Sequence, residues 1–251
     1  MVDEQTFSED SLLGGRVTLR QPKDGYRVAL DPVLLASAIG ALKGESVLDL
    51  GAGVGAASLC LAARVKDIHI TGIEVDRTYV RCAFDNVVKN NMRGLVEILH
   101  GDLLSPPPRL SPGSYSHVMA NPPFFENGKG RASPISGRNQ ANIEGEANLE
   151  SWVKFCLNMV KVKGTVTFIH LPERLDQLLS LFYGKLGNIK IFPFWSGGGK
   201  PAQRVVVQGT KGLQGGLTLC AGITLHTSTG AYTAEAEELL RHAQGIYWGD
   251  F

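Results

Sequence analysis

The residues of this chain best suited to chemistry are Asn121-Pro122-Pro123-Phe124, which follow the apolar run from Ser116 to Ala120. Asn121 offers a side-chain oxygen, and Pro122 offers a carbonyl while contributing no N–H of its own. Each proline also confines the residue before it to extended conformations, so the segment is stiff before any partner arrives. Phe124 adds an aromatic face. Two acceptors beside a flat apolar surface suit a planar amine.

A second candidate is the run Val47-Leu48-Asp49-Leu50-Gly51-Ala52-Gly53-Val54-Gly55, where a strand passes into a helix through a loop open to close backbone approach. A nucleotide-like ligand is implied. Gly51, Gly53 and Ala56 also fit the G-x-G-x-x-G/A dinucleotide fingerprint, with Glu74 about where its ribose acid should lie. Three features point elsewhere. Asp49 stands two residues before the first glycine, where a carboxylate orders the loop and faces the ammonium end of an amino-acid ligand; a pyrophosphate would gain nothing from it. Glu74 can accept both hydroxyls of a ribose, and Gly101-Asp102-Leu103 sets a carboxylate and an apolar side chain where an adenine edge and face could be read. Finally, a helix precedes the glycine strand, whereas dinucleotide domains commonly open with it.

The elements that must position these residues alternate between strand and helix, which predicts an α/β chain with a mainly parallel sheet and helices on both faces. Strands are expected over 46–50, 68–74, 96–100 and 116–120, with helices over 55–65 and 76–90. Before them, residues 1 to about 14 read as polar and mobile, and Arg16 to Arg20 as a short strand. Tyr26 to Leu30 is expected to pair back on that strand across Gly25. Asp31-Pro32 reads as the N-cap and first position of a helix reaching Leu42. Residues 126–148 read as a long exposed loop, of a kind that is often functional. A helix from Leu149 to about Val160, a strand over 165–170 and an antiparallel pair, 189–194 with 204–208, follow. A strand over 217–225 and a short helix over 234–241 complete the pattern.

With 251 residues, 43% of them hydrophobic, the chain can bury a full core as one α/β domain. Net charge is +1, from 25 basic against 24 acidic side chains, so no excess of positive charge announces a nucleic-acid partner. Cys60, Cys82, Cys156 and Cys220 are widely spaced with no C-x-x-C pair, which signals neither a disulfide framework nor a metal site. No secretory start and no membrane-spanning run is present, so a cytoplasmic location is expected.

Taken together, Asp49, the glycines, Glu74, Asp102 and Asn121 to Phe124 resemble the motif order of class I S-adenosylmethionine-dependent methyltransferases, from about Ser46 to Gln208. The resemblance implies a seven-stranded, mostly parallel Rossmann-like sheet over residues 45–251, with a small hairpin and helix extension over 1–44 packed on it. S-adenosyl-L-methionine is the implied cofactor. It would be held by Asp49, Gly51, Ala52, Gly53, Gly55, Glu74, Val75, Asp102, Leu103 and Asn121. The catalytic set would be Asn121, Pro122, Pro123 and Phe124, acting on adenine N6, guanine N2 or a protein glutamine. Phe124 leans this toward a nucleobase, on whose face it can stack.

Further segments narrow the resemblance. Gln21-Pro22-Lys23-Asp24-Gly25-Tyr26-Arg27, Asp31-Pro32-Val33-Leu34-Leu35-Ala36 and Lys200-Pro201-Ala202-Gln203-Arg204-Val205 are similar to the bacterial tRNA1(Val) adenine N6-methyltransferase family. That family implies an RNA partner, a tRNA, with Tyr26, Arg27 and Asp31 closing the donor pocket. In a nearly neutral chain, the RNA-binding face would have to come from Arg16, Arg20, Lys23, Arg27, Arg131, Arg138, Lys200 and Arg204. A nicotinamide-dependent oxidoreductase and a non-catalytic donor-binding module stand as alternatives. Neither a metal nor a membrane is implied, and the oligomeric state is not legible.

Overall fold

Strand Tyr115–Ala120 is buried at every position, as a strand must be when both faces of its sheet are covered. The computed structural model describes residues 7–23, 27–124 and 147–249. The hairpin β1 (Phe7–Leu12) and β2 (Val17–Pro22) leads into α1 (Asp31–Ser37). The main sheet contains β3 (Ser46–Leu50), β4 (His69–Glu74), β5 (Val96–His100), β6 (Tyr115–Ala120), β7 (Val160–His170), β8 (Leu186–Trp195) and β9 (Ala202–Lys211). Two short strands, β10 (Leu217–Leu219) and β11 (Ile223–Thr224), lie beside β8. The later helices are α2 (Ala56–Arg64), α3 (Arg77–Lys89), α4 (Leu149–Met159), α5 (Leu175–Phe182) and α6 (Ala234–Leu240).

The strand order is β10-β8-β9-β7-β6-β3-β4-β5. Only β9 runs against its neighbours β7 and β8; the other pairs are parallel. From β3 the chain builds outward to β4 and β5, then returns to lay β6 on the opposite side. The order therefore reverses between β3 and β6, and a crevice opens beyond their carboxyl ends, where open α/β sheets bind ligands. Register fixes what meets there. Leu50 lies opposite both Ala120 and Ile73, so Gly51, Asn121 and Glu74 emerge side by side.

Because successive residues of a strand face opposite ways, the sheet feeds two cores. Val47, Met119 and Ile169 join one with α1, α2, α3 and α6, while Leu48, Val118 and Phe168 join the other with α4 and α5. Leu13, Val17 and Leu19 of the amino-terminal segment share the first core. Asn86 on α3 and Asn90, which caps its carboxyl end, bind that segment by exchanging hydrogen bonds with the backbone of Arg20 and Thr18. Asn86 also donates to the Val54 carbonyl at 2.9 Å, linking hairpin and glycine loop.

The seven strands β3 to β9 match the expected sheet, and β10 and β11 extend it. The single strand expected over 217–225 is interrupted at Gly222, whose φ is +72°. The partner of β2 is β1 rather than residues 26–30. The polar residues of β1 are ordered by distant contacts: Asp10 accepts from Gln21 and Arg27, and Arg20 lies 4.0 Å from the Phe7 ring centre. Tyr26 lies outside the described residues. The first helix stops at Ser37 instead of Leu42, and Asp31 is its first residue rather than a capping side chain. Helix α5 is not among the elements the sequence predicts. The loop read over 126–148 lies outside the described residues except for Ala147 and Asn148; the Asn148 side chain caps α4 by accepting from Ser151 N–H at 3.0 Å. No described helix is long and apolar enough to cross a membrane.

Candidate functional site

At the crevice between β3 and β6 lies a cavity of about 600 Å³, in the size range of small-molecule sites. Asp49, Gly51, Ala52, Gly53, Glu74, Val75, Asp102, Leu103, Asn121, Pro122, Pro123 and Phe124 all line it. Gly55, Arg27 and Asp31 do not.

The loop after β3 is held by its neighbour strand. Gly51 and Ala52 both donate to the Ile73 carbonyl, at 2.9 and 2.8 Å, and Gly53 donates to Glu74 Oε2 at 2.8 Å. At Gly51 the backbone has φ +72°, and an added Cβ would stand 2.4 Å from Cη2 of Trp152. The glycine is thus required by both conformation and space. Gly55 (φ +85°) serves as the left-handed residue at the start of α2, packed toward Ala83 of α3, which explains its position behind the cavity wall.

Glu74 does more than wait for a ligand. Its Oε2 accepts from Gly53 and its Oε1 accepts from Asp76 N–H at 2.9 Å, so the carboxylate ties the glycine loop to the start of α3. Each oxygen keeps a further lone pair. Burial pushes the Glu74 carboxyl above its ordinary value, against the backbone N–H groups that favour the charge. Asp49 is 2% exposed and accepts from Ser58 Oγ at 2.7 Å. Its burial, opposed by the Ser58 hydrogen bonds, pushes its carboxyl up to about 6. Val75 is 60% exposed and, with Leu103 and Leu104, gives the cavity an apolar wall beside two carboxylates. Asp102 has part of its acceptor capacity taken by Leu104 N–H at 2.9 Å.

Asn121 stands beside the glycine loop, at the end of β6. Its Oδ1 is shielded from solvent and accepts no hydrogen bond from any described residue. Leaving such a group unpaired costs about 1–3 kcal/mol, which an incoming N–H donor would recover. Phe124 is 7% exposed and borders the same cavity.

Arg27 donates to Ser8 Oγ at 3.0 Å and to Asp10 Oδ2 at 2.7 Å, bracing the hairpin, and Val28 after it reaches the cavity. Asp31 is 6% exposed and accepts from Arg204 Nε at 2.9 Å, while its neighbour Pro32 lines the cavity. Of the basic residues expected to face RNA, Arg16 binds the Arg241 carbonyl, Arg20 pairs with Asp85, Arg27 with Asp10 and Arg204 with Asp31. Arg131 and Arg138 lie outside the described residues. Trp152 joins the site without having been legible in the sequence: its ring closes the cavity behind Gly51, and its Nε1 has no partner among the described residues. Helical spacing marks it as core; nothing in the sequence aims it at the glycine loop. No described group of three or more His, Cys, Asp or Glu side chains could hold a metal ion, and the four cysteines are free thiols.

Residues 30–135 match the methyltransferase small domain family. The tRNA1(Val) (adenine(37)-N6)-methyltransferase of Aliivibrio salmonicida is 28% identical over 145 residues, 58% of this chain and 60% of that protein. Its counterpart in Bacteroides thetaiotaomicron is 27% identical over 162 residues, 64% of this chain and 66% of the relative. With the Actinobacillus succinogenes protein of the same name the likeness is thinner but longer, 25% over 230 residues, 90% of this chain and 93% of the relative. The chain thus spans less than two thirds of the first two relatives' length and most of the third's. The crystal structure of a predicted O-methyltransferase from Agrobacterium tumefaciens superposes with a TM-score of 0.71 at 21% identity, covering 86% of this chain and 98% of that one. The fold is the Rossmann-like one of class I methyltransferases, and in sequence the chain resembles the tRNA1(Val) adenine N6-methyltransferases.

Proposed function

We propose that this chain is an S-adenosylmethionine-dependent N-methyltransferase acting on the exocyclic N6 amine of an adenine in RNA, and that the RNA is a tRNA. The observation that carries the proposal is the unpaired, shielded Oδ1 of Asn121, a residue that lines the same cavity as a glycine loop between two buried carboxylates. Similarity to the tRNA1(Val) enzymes supports the choice of substrate.

The residues present fit the methyl donor. Gly51 and Gly53 leave backbone open to it, Asp49 supplies a carboxylate for an ammonium group, Glu74 retains acceptor capacity for a ribose, and Val75 and Leu103 offer apolar surface to a purine. When bound, S-adenosylmethionine supplies a methyl group on a positively charged sulfur. The chain's own contribution is to place a nitrogen lone pair for in-line attack. An aromatic amine is a poor nucleophile because its lone pair is delocalised into the ring. Acceptance of its N–H bonds by Asn121 Oδ1 and the Pro122 carbonyl favours the pyramidal nitrogen that attacks. Phe124 fixes the base by stacking. The proton leaves after attack, from an acidic ammonium, so no strong general base is needed.

The test is incubation of the protein with labelled donor and total bacterial tRNA, followed by digestion to nucleosides. Label in N6-methyladenosine is expected. Label in protein, or in N2-methylguanosine alone, would overturn the assignment. Asn121→Ala is expected to lower turnover by about 2–4 kcal/mol of transition-state stabilisation, the scale of losing one preorganised hydrogen-bonding group. Unchanged turnover would refute the role of Asn121.

A further inference from the structure

Phe124 is packed against groups the proposed chemistry does not use. The guanidinium carbon of Arg204 lies 4.8 Å from the centre of the Phe124 ring. Phe124 borders the cavity whereas Arg204 does not. His170, at the carboxyl end of β7, meets the same ring edge-on, with centroids 5.5 Å apart and planes at 65°. Arg174 Nη1 donates to the Phe124 carbonyl at 3.4 Å.

Arg204 is itself fixed. Its Nε donates to Asp31 Oδ1 at 2.9 Å and its Nη1 donates to the Gln203 carbonyl at 2.8 Å. Asp31 opens α1 and Arg204 lies on β9, 173 positions away, so this ion pair joins the amino-terminal helix to the strand beside the site. The carboxylate is buried and the guanidinium side chain is 26% exposed, which leaves each with a reason to stay on the other. Across the sheet, Val205 pairs with His170, and that register brings both neighbours of the ring to the same end. The His170 Nδ1 accepts from Leu171 N–H at 2.8 Å, so its other nitrogen carries the proton and the imidazole is neutral.

An aromatic ring has a negative face, and a cation held over one side attracts it. Two consequences follow for Phe124. The ring is held against rotation, and electron density is drawn toward the covered side, leaving the open side better suited to an electron-rich purine.

We propose that Arg204, held by Asp31, is a positioning residue that sets the plane of Phe124 for stacking on a base, and so favours a purine substrate over an aliphatic amide. This rests on the N-methyltransferase function proposed above.

A double-mutant cycle tests it, comparing wild type, Arg204→Met, Phe124→Leu and the combined variant with tRNA as variable substrate at saturating donor. Arg204→Met is expected to raise KM for tRNA or lower kcat by about tenfold in total while leaving S-adenosylhomocysteine affinity, read by calorimetry, within about twofold. In the Phe124→Leu background the same substitution is expected to change little, because the ring it positions is gone. Arg204→Lys keeps the charge but not the planar fork and should recover only part of the loss. Asp31→Asn should reproduce the loss in weaker form. Equal effects of Arg204→Met with and without Phe124 would overturn the proposal, as would a parallel fall in S-adenosylhomocysteine affinity and melting temperature with unchanged kinetics on tRNA. Should Arg204→Met fail to fold, the cycle run with Arg204→Lys decides between the same two outcomes. A wild-type protein that methylates no RNA ends the proposed function itself, whereas an active wild type with additive effects ends only the role of Arg204.

Discussion

Burial of Asp49 has a pH consequence that separates binding from stability. The carboxyl sits near 6 in the folded chain, against 3.8 as an ordinary value. If the ammonium end of the donor needs the ionised form, affinity follows the ionised fraction, which is about nine-tenths at pH 7 and about one-tenth at pH 5. The dissociation constant of S-adenosylhomocysteine should therefore rise about tenfold between pH 7 and pH 5, since the ligand's own ammonium and carboxylate keep their charges there. Stability of the ligand-free chain moves the other way. The folded pKa is raised, so the contribution of Asp49 is fully present below about pH 4, where both states are protonated, and is lost as pH rises through about 6. Roughly two pKa units correspond to about 3 kcal/mol. Glu74 is raised in the same direction, so Asp49→Asn is needed to isolate the effect. Calorimetry across pH 5 to 7, repeated in buffers of different ionisation enthalpy, should show proton release on binding below pH 6 that disappears in Asp49→Asn. Equal affinity at pH 5 and pH 7, or an unchanged slope in the variant, would refute the reasoning.

Two further substitutions probe the loop. Glu74→Gln leaves one acceptor where Gly53 and Asp76 each need one, at a cost of about 1.5–3 kcal/mol, so S-adenosylhomocysteine should bind about ten- to a hundredfold more weakly; affinity within twofold of wild type would show that Glu74 does not organise the loop. Gly51→Ala sets a Cβ 2.4 Å from Trp152 at a backbone φ of +72°, so it should lower both melting temperature and ligand affinity. Adding Trp152→Leu should restore only the part due to crowding, because the strain of a left-handed backbone, about 1–2 kcal/mol, remains. Full restoration would show that the conformation itself costs nothing.

Much of the fold was legible because central strands write their burial directly. The runs reaching Leu50, Ile73, Leu99 and Ala120 are mainly apolar over lengths too short for helices, and the polar groups of the crevice, Glu74, Asp102 and Asn121, come within three residues of their ends. Those residues could be read as one site without knowing the register, since parallel strands with crossover helices bring their carboxyl ends to one edge. Sequence was weaker where order comes from distant partners. The tail before Leu13 looks mobile in isolation, yet β1 forms because Asp10, Glu9 and Phe7 find Arg27, Lys89 and Arg20.

The candidate site divides along the same line. Gly51 and Gly53, Glu74 and Asn121 were readable because each is set by its own strand end, whereas the use of Glu74 as a tie between Gly53 and Asp76 depends on how two loops meet. Asp31 and Arg204 show the limit most clearly. Each reads as an ordinary charge, one at a helix start and one on a strand, and the family resemblance puts Asp31 at the donor pocket. In the fold Asp31 accepts from Arg204, whose guanidinium lies over the Phe124 ring. Local rules predict what a residue offers; its partner is set by packing. A charge whose local role is satisfied by nothing nearby therefore marks a long-range contact, and here that contact ends on the ring proposed to hold the base.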